Sequence, residues 1–351
     1  MSILASINFI HPQEVTSISR IGILAFGAFV LSMALTPIYT NLAFKYKLWK
    51  QPRTTAVTGE AAPVYAKLHA AKHKRNIPTM GGIVTIITIT LITLIFNLSR
   101  NQTYLPLFAL IAAGTVGLFD DFLNIRSEGL GIAGMRGKIK FSLIFAIATA
   151  GALYFYYKLG YSMIHIPAVG DFSIGWLYIP LFILVVVSTA NAVNITDGLD
   201  GLSGGLLSVV FGAYSVIAYF QGNYGIAGFC ATAVGAILTF TWFNIFPARF
   251  FLGDSGAFGL GTALGVIAML TNTVVILPII AFVFVIEAGS AVLQISSKRL
   301  FHRKIFLSAP LHHHLEAIGW PETKVTMRLW VVGQVAAALG LVLALLGDKV
   351  L

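Results

Sequence analysis

Residues 255–286 read SGAFGLGTALGVIAMLTNTVVILPIIAFVFVI, a run without a single Asp, Glu, Lys or Arg. One continuous helix of that length would measure about 48 Å at 1.5 Å per residue. The hydrocarbon layer of a bilayer is only about 30 Å thick. The run therefore divides at its polar interruption, Thr271-Asn272-Thr273, into two membrane spans. Working outward, apolar stretches of similar length recur along the chain. The spans fall at roughly 21–44, 80–98, 103–121, 141–158, 174–195, 201–221, 225–244, 256–271, 273–297 and 325–346. The expectation is one all-α polytopic membrane domain covering residues 1–351, with about ten transmembrane helices. Composition agrees: 57% of the 351 residues are hydrophobic and only 10% are charged, against roughly a quarter charged in soluble domains.

The charges that remain are sorted. Segment 45–79 holds Lys45, Lys47, Lys50, Arg53, Lys67, Lys72, Lys74 and Arg75 against Glu60. Segment 122–140 holds Arg126, Arg136, Lys138 and Lys140 against Glu128, and segment 298–324 is also basic. The intervening loops near 100, 159–173, 222–224 and 272 carry almost nothing basic. Alternate basic loops follow the positive-inside rule, with ten spans and both ends outside. The net charge of +10 is thereby explained without nucleic acid. Met1–Arg20 has no early basic residue, so it does not read as a cleaved signal peptide. The single cysteine, Cys230, excludes an intrachain disulfide. The outer loop 159–173 alternates apolar and small residues around Val169-Gly170-Asp171, which predicts a small β-hairpin.

This topology brings Asp120, Asp121, Asp197, Asp200, Asp254 and His312-His313-His314 to one face. The loops that would build a site there are 45–79, 122–140, 196–201, 245–255 and 298–324. Asp120-Asp121 ends a span, where the helix dipole disfavours anions. A magnesium ion or a phosphate-activating task offsets that cost; the plainer alternative is a solvated helix end. Asn191–Leu202 contains two Asp-Gly pairs and two Asn residues in one turn, more polar groups than capping alone needs. Its glycines admit close approach of a ligand. Asp254, in Phe251-Leu252-Gly253-Asp254-Ser255-Gly256, reads equally as a helix cap or a magnesium ligand. Phe251 reads equally as a stacking platform for a base or as an interfacial anchor. Three consecutive histidines cannot easily converge on one tetrahedral ion, so His312–His314 are assigned to phosphate or sugar. Lys74 to Gly82 is a basic loop entering a helix, a plausible anion site. Glu287 and Gln294 share one face of the ninth span; for Glu287 helix-packing glue is the favoured reading.

Taken together, Pro78–Gly82, Asp120-Asp121, Asn194–Gly201, Phe251–Gly256 and Pro310–Glu316 resemble the polyprenyl-phosphate N-acetylhexosamine-1-phosphate transferases. The resemblance runs from about residue 20 to the end. The Pro-Leu-His-His-His-Leu-Glu form points to the branch whose donor is UDP-N-acetylmuramoyl-pentapeptide. The resemblance implies a homodimer in the bacterial inner membrane with its site on the cytoplasmic face. It also implies magnesium dependence and transfer of phospho-N-acetylmuramoyl-pentapeptide to undecaprenyl phosphate with release of UMP. By position, Asp254 matches the magnesium ligand and Asp120 the residue that deprotonates the lipid phosphate, with Asp121 beside it. Asn194, Asp197, Gly198, Leu199, Asp200, Asn244 and Phe251 match the nucleotide pocket. Lys74, Thr79, Lys140, Gln294, His312, His313 and His314 match the remaining polar wall. The sequence departs from the family at Asn76-Ile77, where Gly-Thr is usual, and at Asn124, where lysine is usual. A sister enzyme using UDP-N-acetylglucosamine is the nearest rival. An ion-coupled transporter is the rival of another class, but it would keep its acids near the midplane.

Overall fold

A computed structural model of the chain describes residues 12–49, 76–126 and 134–347, with side chains from residue 16 onward. Lys74 lies outside the described residues. Helix α1 covers Pro12–Lys45, α2 Gly82–Phe96, α3 Tyr104–Arg126 and α4 Gly137–Leu153. A single turn, Tyr154–Lys158, leads into strands β1 (Met163–Ile166) and β2 (Gly170–Ser173). Then follow α5 (Tyr178–Thr196), α6 (Leu202–Phe220), α7 (Tyr224–Asn244), α8 (Gly253–Leu270), α9 (Leu277–Ile280), α10 (Phe282–Phe301), α11 (Leu311–Ala317) and α12 (Glu322–Gly347). Among the described residues, eight helices are long and apolar enough to cross a membrane.

Three spans differ from their expected bounds. Helix α1 reaches back to Pro12, about nine residues before its expected start. Helix α2 is only 15 residues long, since Met80, just before it, takes a left-handed φ of 72° that a helix cannot include. The expected ninth span is broken at Ala281 into α9 and α10, and α10 runs on to Phe301. The division at Thr271-Asn272-Thr273 holds: α8 ends at Leu270, and Asn272 takes a left-handed φ of 51°. The hairpin also forms, with Met163 opposite Ser173 and Ile166 opposite Gly170.

Helix α8 organises the bundle. All of its 18 residues are buried, as expected of a helix that is apolar on every side. Gly256, Gly259, Gly261 and Gly265 let neighbours approach closely, the usual basis of helix contact in a membrane. A Cβ at Gly256 would strike Leu252 and Gly82, and one at Gly261 would meet Thr189 and Ala190. Helices α3 and α5 pack along α8, α1 packs against α7, and α6 lies between α7 and α12. Strand direction and helix order then fix two ends. One end holds the starts of α2, α4 and α8 and the ends of α3, α5 and α7. The other holds the hairpin and the turns at 97–103, 221–223 and 271–273, where the His165 N–H bonds Asn272 Oδ1 at 3.1 Å.

Candidate active site

The first end gathers the polar motifs. Asp254 sits in the first turn of the central helix α8, but the capping position belongs to Leu252. The capping reading of Asp254 therefore fails. Asp120 and Asp121 stand near the end of α3, and both are completely buried, so the solvated helix end fails too. Lys140, in the first turn of α4, joins the two elements. Its Nζ lies 2.7 Å from Asp120 Oδ2 and 2.5 Å from Asp254 Oδ2. The Met135 N–H bonds Asp120 Oδ1 at 2.6 Å. Asp121 Oδ2 accepts the Ser255 N–H at 3.1 Å.

Two glycine motifs dock backbone to backbone beside these acids. Gly81 N–H donates to Phe251 O, Gly82 N–H to Leu252 O, and Phe251 N–H to Pro78 O, each at 2.8 Å. Gly253 has φ 76°, and a Cβ there would press on Asp121 Oδ2, Met80 N and Thr79 Oγ1. Only glycine suits that position. The Tyr39 hydroxyl donates to Thr79 O from α1. Thr79 Oγ1 itself is buried without a hydrogen-bond partner. Asn76 has φ 48°, a left-handed conformation that asparagine tolerates nearly as well as glycine.

A second knot ties the 197–201 turn to the loop after α7. Asn244 Oδ1 accepts the Gly201 N–H and its Nδ2 donates to Phe250 O, both at 2.8 Å. Asp200 Oδ2 accepts the Ala248 N–H at 2.9 Å, and Glu322 Oε1 accepts the Asp200 N–H at 2.6 Å. Asp197 Oδ1 takes the Ser203 hydroxyl at 2.5 Å. Neither aspartate caps α6, whose N-cap is Gly201. Leu199 is buried in the core, while Asn194 is half-buried. Asp200 and Asn244 thus hold the loop that carries Phe251, whose ring is half-buried.

The third group lies on α10 and α11. Gln294 Oε1 accepts the N–H groups of Ile305 and Phe306, and its Nε2 donates to Phe306 O, all at 3.0 Å. It braces a loop. His312 bonds Glu287, His313 Nδ1 lies 2.8 Å from Glu316 Oε2, and His314 Nδ1 accepts the Leu307 N–H at 3.3 Å. The three histidines point to three different partners, as their adjacency on one backbone requires. Glu287 does join two helices, but the group it holds is a histidine. Sequence reasoning missed Tyr39, Ser203 and Glu322. Only Glu322, an acid beside a span, carried a visible signal.

Among the described residues no group of three or more His, Cys, Asp or Glu side chains could hold a metal ion. Magnesium usually takes one or two carboxylates and completes its shell with water and phosphate oxygens. The convergence of Asp120 and Asp254 on one point, here filled by the Lys140 ammonium, fits that donor set.

The chain resembles known proteins over most of its length. The glycosyl transferase family 4 profile matches residues 103–272, the segment from α3 to the turn after α8. A phospho-N-acetylmuramoyl-pentapeptide-transferase of Chloroflexus aurantiacus is 37% identical over 346 residues, covering 95% of this chain and 91% of the relative. The chain belongs to the phospho-N-acetylmuramoyl-pentapeptide-transferase family. Relatives of the same name from a Geobacillus species (38% identical, 90% of this chain and 94% of the relative) and from Bacillus pumilus (35%, 89% and 94%) match almost as fully. The chain is thus a polytopic bacterial membrane protein of that family.

Proposed function

We propose that the chain transfers phospho-N-acetylmuramoyl-pentapeptide from its UDP carrier to undecaprenyl phosphate, making the first lipid-linked peptidoglycan precursor and releasing UMP. The carrying observation is the union of Asp120, Asp254 and Lys140 at one bundle end, in a chain whose relatives bear that activity's name. An oxygen of the lipid phosphate forms a bond to the sugar-bearing phosphorus. The bond from that phosphorus to the UMP oxygen breaks, and UMP leaves with the electron pair. One anhydride replaces another, so no outside energy source is required. Asp120 accepts the proton of a monoanionic lipid phosphate. Lys140 holds both carboxylates in register and adds positive charge beside the reacting phosphates. Asp254 would hold magnesium, which when bound neutralises the diphosphate and the departing UMP.

The site faces the cytoplasm in this reading. Lys45, Lys47, Arg126, Arg136, Lys138, Arg249, Lys298 and Arg299 stand at or beyond helix ends on the aspartate side. Arg20, Arg100 and Lys158 stand on the other side. That excess supports an inside orientation, and it attracts the anionic donor. Acids gathered at one end also argue against the transporter reading, which needs them near the midplane. The test uses membrane vesicles supplied with undecaprenyl phosphate and either UDP-N-acetylmuramoyl-pentapeptide or UDP-N-acetylglucosamine. Inverted vesicles, which present the cytoplasmic face, should form the muramoyl lipid identified by mass. Product from right-side-out vesicles, or from the second donor alone, would overturn the reading.

Phe251→Ala should weaken donor binding without lowering protein abundance. Stacking of a base on an aromatic ring contributes about 1–3 kcal/mol where it has been measured, and tenfold in Kd is about 1.4 kcal/mol. Calorimetry with UDP-N-acetylmuramoyl-pentapeptide reads the change. An unaltered Kd would leave Phe251 as an interfacial anchor only.

A further inference from the structure

Glu287 lies on helix α10 and is completely buried. It faces His312, the first histidine of the run on α11. Its carboxylate accepts the His312 backbone N–H at 3.2 and 3.3 Å, and Oε2 lies 2.8 Å from ring Nδ1. A carboxylate has no hydrogen to give, so Nδ1 carries the proton. In the neutral ring with hydrogen on Nδ1, the other nitrogen, Nε2, is a lone-pair acceptor.

His312 Nε2 is buried and has no hydrogen-bond partner. It sits over Gly198, where a Cβ would collide with it before any other atom. Gly198 is not among the left-handed glycines, so its backbone conformation does not demand glycine. The imidazole does. The His313 ring centroid lies 4.1 Å from that of His312. The ring's own hydrogen bond goes to Glu287 on α10.

An unpaired buried acceptor is costly, and each one in a native fold calls for an explanation. Here the acceptor is braced by a buried carboxylate and aimed at the turn that Asp200 and Asn244 tie to Phe251. We propose that Glu287 is a positioning residue: it fixes the His312 ring with hydrogen on Nδ1, so that Nε2, seated on Gly198, accepts a hydrogen bond from an N–H or O–H of the bound UDP-sugar. This rests on the transferase reading above. A UDP-sugar with an acetamido group and a peptide offers many such donors, so the chemistry matches.

Two substitutions in the full-length protein separate this role from a structural one. His312→Asn keeps an amide where Nδ1 was, within reach of Glu287, and leaves nothing where Nε2 was. His312→Gln places its amide near the Nε2 position. His312→Asn is expected to keep a Tm near that of the wild type while the Kd for UDP-N-acetylmuramoyl-pentapeptide rises about tenfold, the scale of one lost hydrogen bond to a buried partner. His312→Gln should recover part of that loss. Glu287→Gln, which can still accept the Nδ1 hydrogen, should bind better than Glu287→Ala. In ¹⁵N-histidine-labelled wild type, the His312 Nε2 resonance should be that of an unprotonated nitrogen and should move on donor addition. An unchanged Kd in His312→Asn, or hydrogen found on Nε2 in the free protein, overturns the proposal. Failure of the wild type to bind any UDP-sugar would instead overturn the transferase reading, and this proposal with it.

Discussion

Asp254→Asn is expected to lower kcat/KM on the order of a thousandfold, matching the several kcal/mol a bound metal contributes to transition-state charge. The fold should survive. Asn still offers an oxygen to the Lys140 ammonium, which keeps its 2.7 Å bond to Asp120. What is lost is charge. A hard-cation site that draws on one or two carboxylates loses much of its field when one becomes neutral. Raising magnesium modestly should not restore turnover, because the ion would then rest on Asp120, a position needed for the attacking phosphate. The check is a magnesium titration of the mutant with both substrates saturating, beside donor binding measured separately. Recovery of most of the activity at raised magnesium would show that Asp254 only tunes affinity and does not hold the ion.

The placement of Asp254 is legible in the sequence. The uncharged run 255–286 demands a span just after it, and the alternation of basic loops puts that junction on the same side as Asp120. Side-by-side placement of Pro78–Gly82 and Phe251–Gly256 was not legible. Hydropathy orders helices along the chain but says nothing of which neighbours share a face, and here the docking depends on glycines too small to give a hydropathy signal. Lys140 was visible as a basic residue in a basic loop. That its ammonium bridges two carboxylates follows only from α4 packing beside α3 and α8. Gln294 and Glu287 show the same limit. A buried polar side chain must find partners, and sequence periodicity shows that Gln294 shares a face with Glu287 without showing that its partners are the backbone of Ile305 and Phe306. The break at Ala281 has no charge, proline or glycine of its own to mark it.

Asp120→Asn should behave differently from Asp254→Asn, and the difference should appear in pH. Asp120 takes a proton only while the lipid phosphate is a monoanion, and the second pKa of a phosphate monoester is near 6. General base catalysis contributes about 10²–10⁴-fold. Near and below that pKa the mutant should therefore lag the wild type by a hundredfold or more. Well above it most of the lipid phosphate is already a dianion, the proton has left before binding, and the gap should narrow. The sign is fixed: the ratio of wild-type to mutant rate falls as pH rises. Asp254→Asn has no such reason to improve, since a missing charge on a cation site is not supplied by deprotonating the acceptor. Lys140 bonds both carboxylates, so either mutant keeps one of its ion pairs and neither comparison is confounded by loss of both. Rates of the two mutants are to be measured across pH at several magnesium concentrations with saturating donor. If the two profiles coincide in pH and in magnesium, Asp120 and Asp254 serve as one ion site, and the proton of the lipid phosphate goes elsewhere.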